Sequence, residues 1–432
     1  MRLTSVKVFP SNLHGKVKAP PSKSYTHRAV VLSSLASGKS RINKPLFARD
    51  TIATIKACQA LGSSIDKKED RLYIEGNPDL KTPDDVINVE NSGTTMRLIT
   101  AMASLAPEGY SIITGDDSIR SRPMQPLLSA LSSLGVECYS SRQNGLPPII
   151  VKGGGIKGGE AEIRGDISSQ FISALLISTP KAKNKTSIKV HGKTVSRPYI
   201  DATLIMMKIF GGNAIHKDYK EYIIPPKQDY HRSDFDVPGD FSSASLLMAS
   251  ALLAGEKVTI ENLNFSLPQA DMRILDLLEK MEADFIVDKS KGEITLSGGK
   301  VLKGGEFDLS DSPDLLPVLS VIALKARPRT IIKGVEHARF KETDRISILA
   351  RELRGIGAKV QELQDGIIIE YCEKLKSCSL NAHGDHRLFM AFCAAAMASP
   401  EPCIIEGLES VDVSYPNFIK DIKSIGAIIE GV

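Results

Sequence analysis

The stretch ACQALGSSID (residues 57–66) ends a helix-like run on Leu61, turns at Gly62 and continues as a short β-like run. Upstream, Ile52, Ile55 and Leu61 recur at helical period, and Gly62 frees the backbone for the turn into the strand. The same passage returns as ALSSLGVECY (130–139), MMKIFGGNAIH (206–216), LLEKMEADFIVD (277–288), ELRGIGAKVQEL (352–363) and IKSIGAIIE (422–430). Anchored on Leu61, Leu134, Phe210, Met281, Ile356 and Ile425, the six copies lie 73, 76, 71, 75 and 69 residues apart.

A second series keeps step with the first. SKSYTHRAVVLSSLA, NSGTTMRLITAMASLA, SSQFISALLIST, DFSSASLLMASALLA, SPDLLPVLSVIAL and DHRLFMAFCAAAMA are apolar helices with polar or charged openings. Anchors at Ser24, Gly93, Ser169, Ser243, Asp314 and His386 are spaced 69, 76, 74, 71 and 72 residues apart. Two series with one period imply six copies of a unit with two helices and three or four strands. The period is too long for a solenoid of ankyrin or TPR type. It suits units that share a core three at a time, giving two domains. The polar stretch QDYHRSDFDVP (228–238) falls between copies three and four and marks the boundary. The opening RLTSVKV reads as a strand that pairs with the C-terminal half.

Composition narrows the function. The chain has 432 residues, 42% hydrophobic and 25% charged, a globular profile. Its net charge of +4 and 5% aromatic content argue against a nucleic-acid or membrane-surface protein. No apolar run nears the ~20 residues that span a bilayer, and the N-terminus lacks a signal-peptide apolar core. The six cysteines form no C-x-x-C pair, so they read as reduced thiols of a cytoplasmic protein, with no metal site.

The second helix series is where chemistry belongs. A helix apolar on all faces is buried, and its first turn aims unpaired N–H groups at one spot, a ready anion site. Ser, Thr and Asp there also serve as ordinary caps. The cations Lys23, Arg28 and Arg387, with His386, are disfavoured at such ends without an anion, so their mutual repulsion is expected to be relieved by bound substrate anions. Pro20-Pro21 stiffen the entry to Lys23-Ser24, and Lys and Arg supply a point charge and a fork. Gly93 lets a ligand approach the backbone, and Ser168, Ser169, Gln170, Ser196 and Tyr199 offer hydroxyls and an amide. Pro313-Asp314 and Lys341-Glu342-Thr343-Asp344-Arg345 each set carboxylates beside cations at a helix start, a pattern that can divide acid and base roles.

SKSYTHR, NSGTTMR, Arg122-Pro123, SSQF, Ser196–Tyr199, Pro313-Asp314, FKETDR and GDHR occur in this order. Together, from about residue 15 to 420, they resemble the 5-enolpyruvylshikimate-3-phosphate synthase branch of the enolpyruvyl transferases. The resemblance implies an α/β (α+β) two-domain fold, each domain three βαβαββ repeats around buried parallel helices, an inside-out α/β barrel. The domains are expected at 15–233, and at 1–14 with 234–432, with the active site in the interdomain cleft and ligand-driven closure. It implies transfer of the enolpyruvyl group of phosphoenolpyruvate to the 5-hydroxyl of shikimate 3-phosphate, by addition and elimination, in aromatic amino acid biosynthesis. It implies a cytoplasmic monomer without cofactor, and no nucleic-acid or membrane partner. Lys23, Asp314 and Glu342 would be catalytic. Lys23, Ser24, Arg28, Ser168, Ser169, Gln170, Ser196, Tyr199, Asp314 and Lys341 would hold shikimate 3-phosphate. Lys23, Gly93, Arg122, Gln170, Arg345, His386 and Arg387 would hold phosphoenolpyruvate.

Two positions depart from the family pattern. Val413 stands where members often carry a basic residue, with Lys420 further along, and His337 replaces an Asn found in some members. The sister transferase that uses UDP-N-acetylglucosamine fits less well. Lys23 is followed by Ser24 rather than Asn, and Asp117 rather than Cys sits five residues before Arg122. A non-catalytic anion- or RNA-binding protein is the other reading of the same basic residues.

Overall fold

The computed structural model describes residues 4–432, so Arg2 and Leu3 of the expected first strand lie outside the described residues. The chain divides into two compact units. One is Pro21–Val237; the other is Pro238–Val432 together with the residues up to Pro20.

All six anchors of the repeat are buried. The residue after each takes a positive φ: Gly62 at 104°, Gly135 at 84°, Gly211 at 86°, Glu282 at 57°, Gly357 at 96° and Gly426 at 107°. A helix that ends this way leaves its apolar anchor in the core and turns the chain directly into the next strand. Five copies use glycine, the residue without a Cβ penalty in this region, and Glu282 carries strain of about 1–2 kcal/mol.

Among the described residues, six four-stranded sheets share one pattern, a parallel pair followed by two antiparallel neighbours. In Pro21–Val237 the parallel pairs are Asp234–Asp236 with Lys39–Asn43, Ile87–Asn88 with Tyr110–Thr114, and Gly159–Arg164 with Thr186–His191. In the other unit they are Leu13–Lys18 with Gly255–Glu261, Glu306–Asp308 with Arg329–Lys333, and Ser379–Asn381 with Cys403–Glu406. Side chains alternate along these strands, as in Ile149–Lys152, where Ile149 and Val151 point inward.

Connectivity explains where the units divide. Leu13–Lys18 belongs to the sheet of Gly255–Glu261, yet the next helix, Lys23–Leu35, belongs to the other unit. Asp234–Asp236 belongs to the sheet of Lys39–Asn43, yet the next helix, Phe241–Ala254, belongs to the other unit. Both crossings therefore fall between a strand and the helix after it. They lie at Pro20/Pro21 and Val237/Pro238, a few residues beyond the expected 14/15 and 233/234. Ser5–Val8 lies between Cys403–Glu406 and Ile429–Gly431 and pairs antiparallel with both.

The core of each unit is its set of three apolar helices. Every residue of His386–Met397 is buried, as is every residue of Phe241–Ala254 except Ala254. These two helices and Leu316–Ala323 touch one another pairwise, and Gly93–Ala103 packs on Ser169–Ser178 in the other unit. Five of the six are capped by side chains: Ser22, Ser92, Ser168, Asp240 and Asp385 accept from backbone N–H groups of the first turn. The remaining one is entered through the 3-10 turn Pro313–Leu315. No helix of the described residues is long and apolar enough to cross a membrane.

Candidate active site

The first turns of the buried helices carry the charged groups that the motifs marked, and each unit has its own cluster. In Pro21–Val237, Lys23 Nζ meets Asp50 Oδ2 at 2.9 Å, both largely enclosed. Arg28, five residues on, is buried and ties three helices together. Its Nε donates to Thr203 Oγ1 at 2.8 Å, one terminal nitrogen to Ser24 Oγ at 2.7 Å and Ser24 O at 3.0 Å, and the other to Tyr199 O at 2.9 Å and Ser173 Oγ at 3.5 Å. Burial draws the Arg28 guanidinium down to about 10. His27 sits beside it, fully buried, with Nδ1 2.6 Å from Thr54 Oγ1. Burial first, then the charges of Lys23 and Arg28, hold its imidazole well below the ordinary value and hence neutral.

The Gly93 turn forms a second group in this unit. An added Cβ at Gly93 would lie 2.7 Å from a terminal nitrogen of Arg97, 3.0 Å from one of Arg122 and 3.6 Å from Gln170 Oε1. Arg97 donates to Gly93 O at 3.1 Å, and Arg122 donates to Asn91 Oδ1 at 3.1 Å and Ser118 Oγ at 2.9 Å. Gln170 Nε2 reaches Thr94 Oγ1 at 3.2 Å, so the Ser168-Ser169-Gln170 turn adjoins the Gly93 turn. Ser196 caps the start of Arg197–Ile209 at φ 56°, a left-handed conformation uncommon for serine, and is buried.

In the other unit the organising group is Arg345, only 1% exposed. Its Nε donates to Asp385 Oδ2, and its terminal nitrogens to Asp314 Oδ1 and Glu342 Oε2, each at 2.7 Å. Arg387 reaches the second Asp314 oxygen at 3.1 Å, and Lys341 Nζ lies 3.8 Å from the first. Six charged residues that span positions 314 to 387 thus converge on one carboxylate–guanidinium cluster. Burial alone raises a carboxyl, but here Arg387, Lys341 and Arg345 outweigh it and hold Asp314 well below the usual carboxylate range. Burial lowers Lys341, and Asp314 only partly offsets it. Burial opposes the charge of Arg345 too, and Asp385, Glu342 and Asp314 more than restore it.

Two expectations change in detail. The KETDR string does not itself form the helix start: the helix is Arg345–Gly355, Asp344 is its cap, and Lys341 to Thr343 precede it in a bend. The Glu342–Arg345 pairing at i, i+3 is present all the same. The relief of repulsion among the cations also differs from expectation. Within each unit the chain supplies its own counter-charges, Asp50 for Lys23 and the carboxylates Asp314, Glu342 and Asp385 for Arg345. A buried charge left without compensating partners is costly, and Arg28, which has no carboxylate beside it among the described residues, is compensated by hydroxyl and carbonyl oxygens instead.

His386 is buried at the head of its helix, and His337 is buried in the 3-10 turn Glu336–Phe340. Val413 is a packing residue at the end of the turn Leu408–Val413, which lies on the His386–Met397 helix, while Lys420 is exposed. Three residues of the clusters were not among the expected site groups: Asp50, Arg97 and Asp385. Arg97 had a visible signal, a cation four residues into an otherwise apolar helix. Asp50 and Asp385 look in sequence like ordinary first-turn acids and caps, and nothing local shows which cation each one pairs with.

The description of a family, EPSP synthase (3-phosphoshikimate 1-carboxyvinyltransferase), matches residues 9–422. A 3-phosphoshikimate 1-carboxyvinyltransferase of Methanocaldococcus jannaschii is 46% identical over 420 residues, covering 97% of each chain. One of Methanothermobacter thermautotrophicus is 47% identical over 416 residues, covering 96% of each. The solved EPSP synthase of Acinetobacter baumannii superposes with a TM-score of 0.82 at 26% identity, over 99% of both chains. On a match of this length, the chain belongs to the EPSP synthase family.

Proposed function

We propose that the chain transfers the carboxyvinyl group of phosphoenolpyruvate to the 5-hydroxyl of shikimate 3-phosphate and releases inorganic phosphate, acting as a monomer without metal or organic cofactor. The observation that carries this reading is the Asp314–Glu342–Arg345–Arg387 cluster with Lys341 beside it. It brings two carboxylates and three cations together by ion pairs of 2.7–3.8 Å, as a reaction between two anionic partners with two proton transfers requires.

In the addition, the 5-hydroxyl oxygen bonds to C2 of the enolpyruvyl group while C3 gains a proton and becomes a methyl group. In the elimination, that methyl group loses a proton as the C2–O bond to phosphate breaks. Asp314, kept ionised by its three cations, is assigned the hydroxyl proton. Glu342 is assigned the proton exchanged at C3, with Lys23 assisting from its own cluster. Ser24, Arg28, Ser168, Ser169, Gln170, Ser196, Tyr199 and Lys341 bind shikimate 3-phosphate. Gly93, Arg122, Gln170, Arg345, His386 and Arg387 bind phosphoenolpyruvate.

The test is a phosphate-release assay with phosphoenolpyruvate and either shikimate 3-phosphate or UDP-N-acetylglucosamine. Release that depends on shikimate 3-phosphate and falls at least a hundredfold in Glu342→Gln is the expected result. Release with the nucleotide sugar alone points to the sister reaction. Tight RNA binding without any release would mean a non-catalytic protein.

A further inference from the structure

Ser379–Asn381 runs parallel to Cys403–Glu406, with Ser379 opposite Ile404. One residue back, the same register sets Cys378 opposite Cys403, and the Ile404 N–H donates to Cys378 O at 3.0 Å. Directly opposed residues on neighbouring strands have Cα atoms about 5 Å apart and side chains on one face. A disulfide needs a Cα separation of roughly 4.4–6.8 Å, so this placement meets its requirement. Cys403 is enclosed and Cys378 is partly exposed, so one sulfur of the pair is open to a small oxidant.

We propose that Cys378 and Cys403 form an oxidation site, which hydrogen peroxide closes to a reversible intramolecular disulfide. The Cys378 sulfur attacks one peroxide oxygen. An S–O bond forms, the O–O bond breaks, and the thiol proton leaves with the other oxygen as water. The Cys403 sulfur then attacks the sulfenic sulfur of Cys378. The S–S bond forms, the S–O bond breaks, and the Cys403 proton leaves in a second water. Two thiols and one peroxide thus become one disulfide and two waters. The loop so closed contains the whole His386–Met397 helix, and the strand it anchors leads through Ala382 to Gly384 into Asp385. The sequence alone did not reveal the pair, because 25 residues separate the two cysteines and only strand register brings them together.

The experiment treats the full chain with hydrogen peroxide, unfolds it in guanidinium, blocks and counts free thiols, and maps the peptides by mass spectrometry. The expected result is a fall from six free thiols to four, a linked peptide joining Cys378 to Cys403, and recovery of six with dithiothreitol. In Cys403→Ser the link is lost, and a sulfenic acid at Cys378 is trapped by dimedone. Six thiols after treatment, or sulfinic or sulfonic acid at Cys378 with Cys403 still free, overturns the proposal. If Cys403→Ser does not fold, the peptide map of the native chain decides alone.

Discussion

Asp385 carries two separable jobs, and substituting it measures both. The residue is fully buried, accepts from Arg345 at 2.7 and 3.4 Å, and caps its helix by accepting from the Arg387 and Leu388 N–H groups at 2.8 and 3.3 Å. Asp385→Asn keeps a cap acceptor but removes the charge. A hydrogen bond to a charged group is worth about 1.5–3 kcal/mol and a neutral one about 0.5–1.5, so the exchange costs about 1–2 kcal/mol at the contact. It also leaves Lys341, Arg345 and Arg387 facing only Asp314 and Glu342, an imbalance that brings the total to about 2–3 kcal/mol. Asp385→Ala loses the cap as well, for about 1 kcal/mol more. Urea unfolding followed by circular dichroism at pH 7 checks this. With slopes of about 1–3 kcal/mol per molar, the asparagine variant should unfold roughly 1 M earlier and the alanine variant earlier still. If Asp385→Asn matches the parent within about 0.5 kcal/mol, or Asp385→Ala is no worse than Asp385→Asn, the division into cap and ion pair is refuted.

Asp271, buried with one oxygen bonded to Ser242 Oγ, is raised to about 7 by burial and then by Asp314, with Asp240 adding and Arg387 opposing. A carboxyl raised from about 3.9 binds its proton more tightly when folded, so this group's contribution to stability is greatest below about pH 4 and is lost as the pH rises to about 7. Asp271→Asn removes that decline and should melt above the parent at pH 8 but not at pH 4, by an amount on the order of 4 kcal/mol at most; a parent with no such decline contradicts it. Gly93→Ala pushes its Cβ against the Arg97 and Arg122 forks. It should raise KM for phosphoenolpyruvate about tenfold, a cost of roughly 1–2 kcal/mol, with KM for shikimate 3-phosphate nearly unchanged in steady-state kinetics. Arg28→Lys replaces a fork that spans Ser24, Tyr199 and Thr203 with a single point charge. It should destabilise the chain by about 3 kcal/mol in thermal or urea unfolding and raise KM for the phosphorylated acceptor.

What the sequence made legible and what it hid follow from the range of the forces involved. The six helix endings could be read because each rests on adjacent residues, an apolar anchor and then a residue that tolerates positive φ, as at Leu134-Gly135. The six buried helices could be read because burial leaves a long apolar run, as in Phe241–Ala254. The crossings were read only approximately, since whether Leu13–Lys18 joins the unit of the helix that follows it or pairs with Gly255–Glu261 depends on long-range strand pairing. The clusters were legible as candidates but not as circuits. Lys23 and Asp314 stood out as charges at apolar helix ends and Arg345 within a charged helix start, while the partners Asp50 and Asp385 lie 27 and 40 residues from the cations they bind.

The strand order at the chain ends bears on how the protein emerges from the ribosome. Ser5–Val8 is synthesised long before its neighbours on either side, Cys403–Glu406 and Ile429–Gly431. That sheet is left open until Gly431 is out, while Pro21–Val237 has every strand of its own sheets once Asp236 is out. The early segment spends the interval of synthesis as an unmated edge, the kind of exposed strand on which nascent chains associate. A permuted chain that makes Ser5–Val8 directly after Ile429–Gly431 would give this strand its neighbours at once and shorten that exposed interval.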